Sequence, residues 1–447
     1  MTHAQPNLLI ILSDQHARFA SSGHGWSALR TPNLDALADR GVRFDTAYCA
    51  NPVCVPSRMS MLSGRMPTDL CGYKGDFVWP VEAVGRTLGQ WLSRAGYHCA
   101  YAGKWHAPEP IELDAAQAKL FGFDAIAGID DRALPDACDR FFADPPTKPW
   151  LLMVNFDNPH GICEAGIEAQ PPWNPRFDSE PEDWPPLPSN FEAEPDEPQP
   201  YALRRRYADD YIMAGPFTPD RWRQYRYDYA RMIELVDAGI GRILGSLERH
   251  ALADDTVVIY LSDHGEMAGA HRHGHKQFLY EESSGVPLVM YDPRATKAGL
   301  CDDRLINTGL DLLPTVCDYA GIEPPAALLG RSFRPDGETQ ASREAVVTET
   351  YLHGFAGRMV RTRRFKYVAF HKGRNREQLF DLENDPGETK NLTLDASYAG
   401  TLRDHRNRLA AWCRESGDRF GEHYARPGFA VVPGHGFVPI EDAGFHP

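Results

Sequence analysis

The chain has 447 residues, 42% of them hydrophobic and 24% charged, ordinary globular values that exclude disorder and fibrous classes and leave room for one large domain with a smaller one. A formal net charge of −15 repels phosphate backbones and anionic membranes, so neither nucleic acid nor a membrane is an expected partner, and an anionic ligand would need positive charge gathered locally. Nine cysteines, an odd number with no CxxC pair, suit neither a disulfide framework nor a zinc site; a reducing cytoplasm is the expected home.

The N-terminal "MTHAQPNLLIILSDQ" lacks a basic start and meets charge after a strand's length of apolar residues, so it reads as a strand, Asn7 to Gln15, and not as an export signal. "NLDALADRG" follows as a helix, with Asn33 as its cap and Gly41 as its stop. In "NPVCVPSRMSMLSGR", Asn51 to Arg65, Val55 and Pro56 favour extended backbone, and Ser57 and Arg58 open a helix. "GRTLGQWLSRAG" sets Leu88, Trp91, Leu92 and Ala95 on one helical face.

Three more apolar runs resemble the first: Tyr97 to His106, Trp150 to His160 and Thr256 to Gly265. None alternates, as expected for strands buried on both faces of a parallel or mixed sheet, and each ends in ionisable or amide side chains. A long helix with Tyr225, Tyr229, Met232, Val236, Ile240, Ile243 and Leu247 at helical spacing precedes the last run. Strand and helix alternate, so the fold class is α/β, a large, mostly parallel sheet flanked by helices; its ligand crevice lies beyond the carboxyl ends of the strands.

Residues 161–216 are rich in proline and acids and read as an insertion over the strand ends that shapes the substrate entrance. Trp173, Trp184 and Arg204 to Arg206 within it suit substrate contact and ordinary packing equally well. The cluster "HRHGHK" (His271, His273, His275) reads as a polar loop leading to Lys276, with one histidine lining the pocket. From a boundary near 340 the patterns shorten to strands and a final helix, a small antiparallel sheet subdomain occupying 341–447. The tail "FAVVPGHGFVPIEDAGF" is apolar enough to contact a second copy of the chain, which makes a homo-oligomer an expected partner.

Cys54 could be a buried thiol, a disulfide half, a metal ligand or a nucleophile. A cysteinyl phosphatase would need arginine six positions later, where Ser60 stands, and a zinc thiolate would need partners at short spacing. A side chain at a helix start beside a guanidinium suits an anionic nucleophile.

"Cys54-Val-Pro-Ser-Arg58" with "Ser63-Gly64-Arg65" resembles the signature of the sulfatases, the formylglycine-dependent branch of the alkaline phosphatase superfamily. The similarity extends through "SDQ", "GKWH", "NPH", "SDHGEM", a lysine four positions before "YEES", "LDLLPT" and "QLFDLENDPGETKNL", covering Asn7 to Leu392. The resemblance implies an alkaline phosphatase-like fold and conversion of Cys54 to formylglycine by a formylglycine-generating enzyme that reads the Pro and Arg of the tag. It implies one divalent metal ion, calcium or manganese, on Asp14, Gln15, Asp263, His264 and the residue made from Cys54. Gln15 and His264 depart from the commoner Asp-Asp and Asp-Asn pairs and are more similar to the subgroup containing phosphonate monoester hydrolases, phosphodiesterases and choline sulfatases.

By the same resemblance, Arg58, Lys104, His106, His160 and Lys276 bind the hydrate and the ester oxygens. Asp263 takes the proton of the attacking hydroxyl, His160 and Lys276 assist the leaving oxygen, and His106 takes the proton on release. The expected activity is hydrolysis of a small anionic sulfate ester. Alternatives are a phosphonate monoester or phosphodiester hydrolase and, if Cys54 stays unconverted, a non-catalytic anion-binding relative.

Overall fold

Leu8 to Leu12 are five consecutive apolar residues, each at most 2% exposed, because the strand that carries them is covered twice. Leu8, Ile10 and Leu12 face one helical layer and Leu9 and Ile11 the other. The computed structural model describes residues 5–71, 87–107, 110–164, 177–208, 216–295, 298–335 and 343–420, with the backbone of 431–432 and 436–437.

The main sheet has eight strands: β1 (Asn7–Asp14), β2 (Val42–Phe44), β4 (His98–Gly103), β5 (Asp124–Ala127), β6 (Trp150–Pro159), β7 (Thr256–Ser262), β8 (Leu288–Tyr291) and β9 (Leu300–Asp302). Their spatial order is β5-β4-β6-β1-β7-β8-β2-β9, and β8 alone runs against the others. A small ribbon pairs β3 (Ala47–Tyr48) with β10 (Ile306–Asn307). The four runs expected from the sequence are therefore β4, β6, β1 and β7, four adjacent parallel strands whose carboxyl ends share one edge.

Helices Cys54–Ser63, Leu88–Arg94 and Thr308–Ala320 cover one face of the sheet. Pro32–Arg40, Leu134–Ala143 and the 31-residue helix Pro219–Arg249 cover the other. Burying each Leu, Ile or Val in these layers contributes about 1.5–3 kcal/mol. Asn33 does not cap its helix: Thr31 is the cap residue, Pro32 takes the first position, and Asn33 instead donates through its backbone and amide nitrogens to Asp237.

The C-terminal sheet is a meander of β11 (Val346–Leu352), β12 (Phe355–Arg361), β13 (Phe365–Phe370) and β14 (Glu377–Asp381). Alternation along these strands sends Met359, Val368 and Phe380 into a core shared with Tyr48, Tyr201 and Tyr280 from earlier in the chain. Val360, Tyr367 and Leu379 point the other way, onto Leu402 and Leu409 of helix Ala399–Ser416. The expected boundary near 340, Trp173 and most of the apolar tail, with the subunit contact expected of it, lie outside the described residues. The insertion contains a helix the sequence reading did not foresee, Gln199–Tyr207. No described helix is long and apolar enough to cross a membrane.

Candidate active site

The site is assembled where β1 and β7 end side by side, with Ser13 opposite Ser262. The next residues, Asp14 and Asp263, are therefore neighbours, and neither is exposed. Asp263 is held by its own surroundings: its Oδ1 accepts from the backbone nitrogens of Gln15 (3.0 Å) and His264 (2.9 Å).

Cys54 reaches this edge because the helix Cys54–Ser63, all of whose residues are buried, points its first turn at the two aspartates. The helix begins at Cys54 itself, three residues before the expected start; Pro56 is tolerated because a first-turn nitrogen has no intrahelical partner. Ser57 Oγ donates to the Asp263 carbonyl at 2.5 Å and fixes the helix to the strand end. The Cys54 sulfur then lies 3.5 Å from Asp14 Oδ1, 3.3 Å from His264 Nε2 and 2.8 Å from Lys276 Nζ.

Ligand atoms of Asp14, Cys54, Asp263 and His264 all lie within 4.8 Å of one another. His264 Nδ1 is 2.9 Å from the Gly265 carbonyl, which fixes its proton there and turns the Nε2 lone pair toward the carboxylates, the orientation expected of a ligating histidine. Burial and the charge of Asp14 push the Asp263 carboxyl up. Two buried carboxylates, an imidazole nitrogen and a sulfur facing one point fit a divalent cation, which would relieve that crowding.

The cations divide the remaining work. Arg58 gives Nε to Asp263 Oδ2 (2.7 Å), Nη2 to Asp14 Oδ2 (3.1 Å) and Nη1 to the Lys104 carbonyl (2.9 Å). With its donors committed and 2% exposure, Arg58 positions the carboxylates, where the sequence reading set it among the cations that bind hydrate and ester oxygens. Lys104 Nζ bridges Asp14 Oδ2 (2.8 Å) and Asp157 Oδ1 (2.9 Å). Burial opposes ionisation of Asp14, but Lys104, His160, Lys276 and Arg58 outweigh it and hold its pKa well below the usual carboxylate range. At Cys54, burial and Asp14 raise the thiol pKa, and Lys276, His264 and Lys104 bring it well below the ordinary value.

His160 begins a short 3-10 helix at the end of β6, half-buried and within electrostatic reach of Asp14. His106 stands two residues past Lys104, half-buried, with left-handed backbone at φ 45°. The Gln15 amide nitrogen donates to Glu266 Oε2 at 2.6 Å, and its oxygen, the atom of its expected ligand role, accepts from the Cys163 thiol at 3.3 Å. The three loop histidines are held apart. His271 stacks on Tyr280 with centroids 4.0 Å apart, His273 lies against Phe278 at 4.2 Å, and the His275 nitrogen donates to Glu266 Oε1 at 2.7 Å.

Sequence reasoning passed over Asp157 and Asp131. Asp131 accepts from the backbone nitrogens of Asp157 (2.6 Å) and Asn158 (2.9 Å), and so holds the strand end that presents Asp157 to Lys104. Asp157 stands inside the "NFDNPH" run and was open to notice there; Asp131 carried no local signal, because its partners are 26 and 27 positions away.

Known proteins share both the sequence pattern and this architecture. A family model described as Sulfatase matches residues 6–322, and one described as N-sulphoglucosamine sulphohydrolase, C-terminal, matches 269–415. The chain is similar to a Delta 4,5-hexuronate-2-O-sulfatase of Bacteroides thetaiotaomicron, 30% identical over 93% of this chain and 90% of the relative. Among solved structures, a 2-O GAG sulfatase superposes with a TM-score of 0.81 at 28% identity, covering 94% of each chain. The phosphonate monoester hydrolase of Agrobacterium radiobacter shares the fold at a TM-score of 0.74 and 24% identity, covering 97% of this chain and 99% of that one. With a signature cysteine, two strand-end aspartates and three lysine and arginine side chains converging as its motifs require, the chain belongs to the sulfatase family and is a sulfuric ester hydrolase.

Proposed function

We propose that this chain removes sulfate from a sulfated saccharide, with a formylglycine made from Cys54 as nucleophile and a divalent cation, Ca²⁺ or Mn²⁺, as its cofactor. The observation that carries this reading is the convergence of Asp14, Cys54, Asp263 and His264 on one point with Lys276 Nζ 2.8 Å from the Cys54 sulfur. The saccharide rests on the hexuronate and GAG sulfatases to which the chain is similar.

Asp14, Asp263 and His264 would hold the cation. Gln15 can join them through its amide oxygen, whose partner, the Cys163 thiol, is only a weak donor. Bound there, the cation supplies Lewis acidity, lowering the pKa of a hydroxyl at position 54 and neutralising ester charge. The hydrated aldehyde supplies one hydroxyl to attack sulfur and a second whose deprotonation expels sulfate.

The remaining work falls to this chain's own side chains. Arg58 keeps both carboxylates in place from behind. Lys104, tied to Asp14 and Asp157, and Lys276, beside the nucleophile, supply fixed positive charge where the ester oxygens gather negative charge. Asp263 accepts the attacking hydroxyl's proton, His160 with Lys276 serves the leaving oxygen, and His106 serves release.

The test is peptide mass spectrometry across Cys54 on protein made with a formylglycine-generating enzyme, followed by kcat/KM for nitrophenyl sulfate and nitrophenyl phenylphosphonate. Formylglycine at position 54 and a dominant sulfate rate are expected. Intact cysteine in fully active protein would overturn the nucleophile, and a dominant phosphonate rate would favour the phosphonate monoester reading that the shared fold suggests. Dialysis against a chelator should abolish turnover and lower Tm, and adding back Ca²⁺ or Mn²⁺ should restore both; full activity in metal-free protein would remove the cation from the reaction.

A further inference from the structure

β6 does not run out evenly beside β1. Leu12 stands opposite Asn155, but the next paired residue, Asp14, stands opposite Pro159, so Phe156, Asp157 and Asn158 occupy the length that Ser13 occupies alone. On its other side β6 has already lost its partner, because β4 ends at Gly103, opposite Asn155. The strand therefore bulges next to the two aspartates, and a bulge takes backbone N–H groups out of the ladder and re-aims the side chains it carries.

The arch is pinned from two directions. Asp131, half-buried in the short turn before helix Leu134–Ala143, accepts from the Asp157 nitrogen at 2.6 Å on one oxygen and from the Asn158 nitrogen (2.9 Å) and amide (2.8 Å) on the other. One carboxylate thus satisfies backbone N–H groups that the bulge frees. Phe156 packs into the layer that holds helices Leu134–Ala143 and Pro219–Arg249, where Gly239 makes room for its ring: a Cβ there would lie 2.9 Å from Phe156 Cε1.

What the arch presents is Asp157, 7% exposed, whose Oδ1 lies 2.9 Å from Lys104 Nζ. Lys104 Nζ is also 2.8 Å from Asp14 Oδ2, and the other Asp14 oxygen is 3.5 Å from the Cys54 sulfur. An ammonium has three N–H groups, and two carboxylates fix the direction of the third. Held by Asp14 alone, the ammonium would swing about a single contact and compete with a cation for the same carboxylate.

We propose that Asp157 and Asp131 are positioning residues of the reaction: Asp131 clamps the bulge, so that Asp157 holds the Lys104 ammonium with its third N–H toward the ester oxygens. In this role neither carboxylate touches substrate; both keep a fixed charge in place before the transition state forms. This inference rests on the sulfatase reading above, in which Lys104 serves the ester, and extends that site by two carboxylates.

The test uses the metal-loaded, formylglycine-bearing enzyme with nitrophenyl sulfate. Asp157→Asn, which keeps the volume and removes the charge, should lower kcat by about 10- to 100-fold with little change in KM, and Asp131→Asn should do the same. Because the two act in series, the double variant should be no slower than Asp157→Asn alone, a coupling that a merely structural role would not produce. Circular dichroism checks that each variant is folded. Should Asp131→Asn not fold, Asn158→Ala removes one bond of the clamp and should cost about 3- to 10-fold in kcat, again only while Asp157 is present. Wild-type kcat in Asp157→Asn overturns the inference. Wild-type kcat in Asp131→Asn or in its substitute Asn158→Ala, or losses that multiply in the double variant, overturn the link through Asp131. Absence of any sulfate hydrolysis by wild type overturns the proposed function and the inference with it, a result distinct from an active enzyme indifferent to Asp157.

Discussion

Two of the clusters of buried charge among the described residues are built on opposite plans. At the strand ends, Asp14 Oδ1, His264 Nε2 and the Cys54 sulfur face one another, with cations arranged around and behind them. Where the C-terminal sheet meets residues from earlier in the chain, Lys366 Nζ meets Glu281 (3.1 Å) and Glu388 (2.8 Å), Arg18 pairs with Glu281, and the Glu281 nitrogen donates to Glu388 at 2.6 Å. Tyr48 donates to Glu281 at 2.9 Å and accepts from Arg361 at 2.7 Å. Burial would raise the Glu281 pKa, yet Lys366, Arg18 and Arg361 hold it low. In the second cluster the acceptors are spread over donors of the same chain; in the first, two carboxylates, an imidazole nitrogen and a sulfur converge on a common place. Burial of charge alone therefore does not mark an active site; several potential ligand atoms converging on one point do.

The largest expected effect separates the clusters by function. Cys54→Ala should lower kcat by about 10³-fold or more while leaving the fold intact, since it removes the proposed reacting group from a site whose carboxylates Arg58 and Lys104 still hold. Turnover near wild type would make the strand-end cluster as structural as the other.

Next in size is Lys366→Met, which leaves Glu281 and Glu388 buried with less compensation and should cost about 3–5 kcal/mol of stability. Chemical denaturation reads it, and kcat of the folded fraction should hold. A loss of kcat with stability intact would break the comparison from the other side.

Lys276→Ala should reduce kcat by about 10²- to 10³-fold, because fixed positive charge beside the nucleophile acts where negative charge develops. Circular dichroism should show an unchanged fold. A change confined to KM would mean that Lys276 binds ground state and transition state equally.

The smallest effect is one of pH. Burial holds the pKa of His271 down to about 3 and of His273 to about 4, while the unfolded chain titrates near 6.5. The folded state resists protonation that the unfolded state accepts, so stability is full above about pH 6.5 and declines as pH falls toward those folded values. At pH 5.5 each histidine should cost about 1.4 kcal/mol. Denaturant midpoints measured from pH 7.5 to 5 should show this slope, and His271→Gln should flatten it; an unchanged slope would remove His271 from the account.

Much of the site was legible before the fold. Asp14, Cys54, Asp263 and His264 stand at the ends of non-alternating apolar runs or in a tag-like signature, and both patterns are local. Gln15, Arg58 and Asp131 were not legible in the same way. Gln15 follows Asp14 directly, yet its side chain is drawn to Glu266, 251 positions away. Arg58 sits in the signature, but that it braces both carboxylates is known only once β1 and β7 lie side by side.

The sequence by itself determined the α/β class, the four central strands and the small C-terminal sheet, and drew attention to Cys54, because hydrophobic period and short motifs are properties of neighbours in the chain. The tertiary structure decided which polar groups neutralise one another and which are left facing a ligand. That distinction depends on every donor within hydrogen-bonding reach, and most of those donors come from elements distant in sequence.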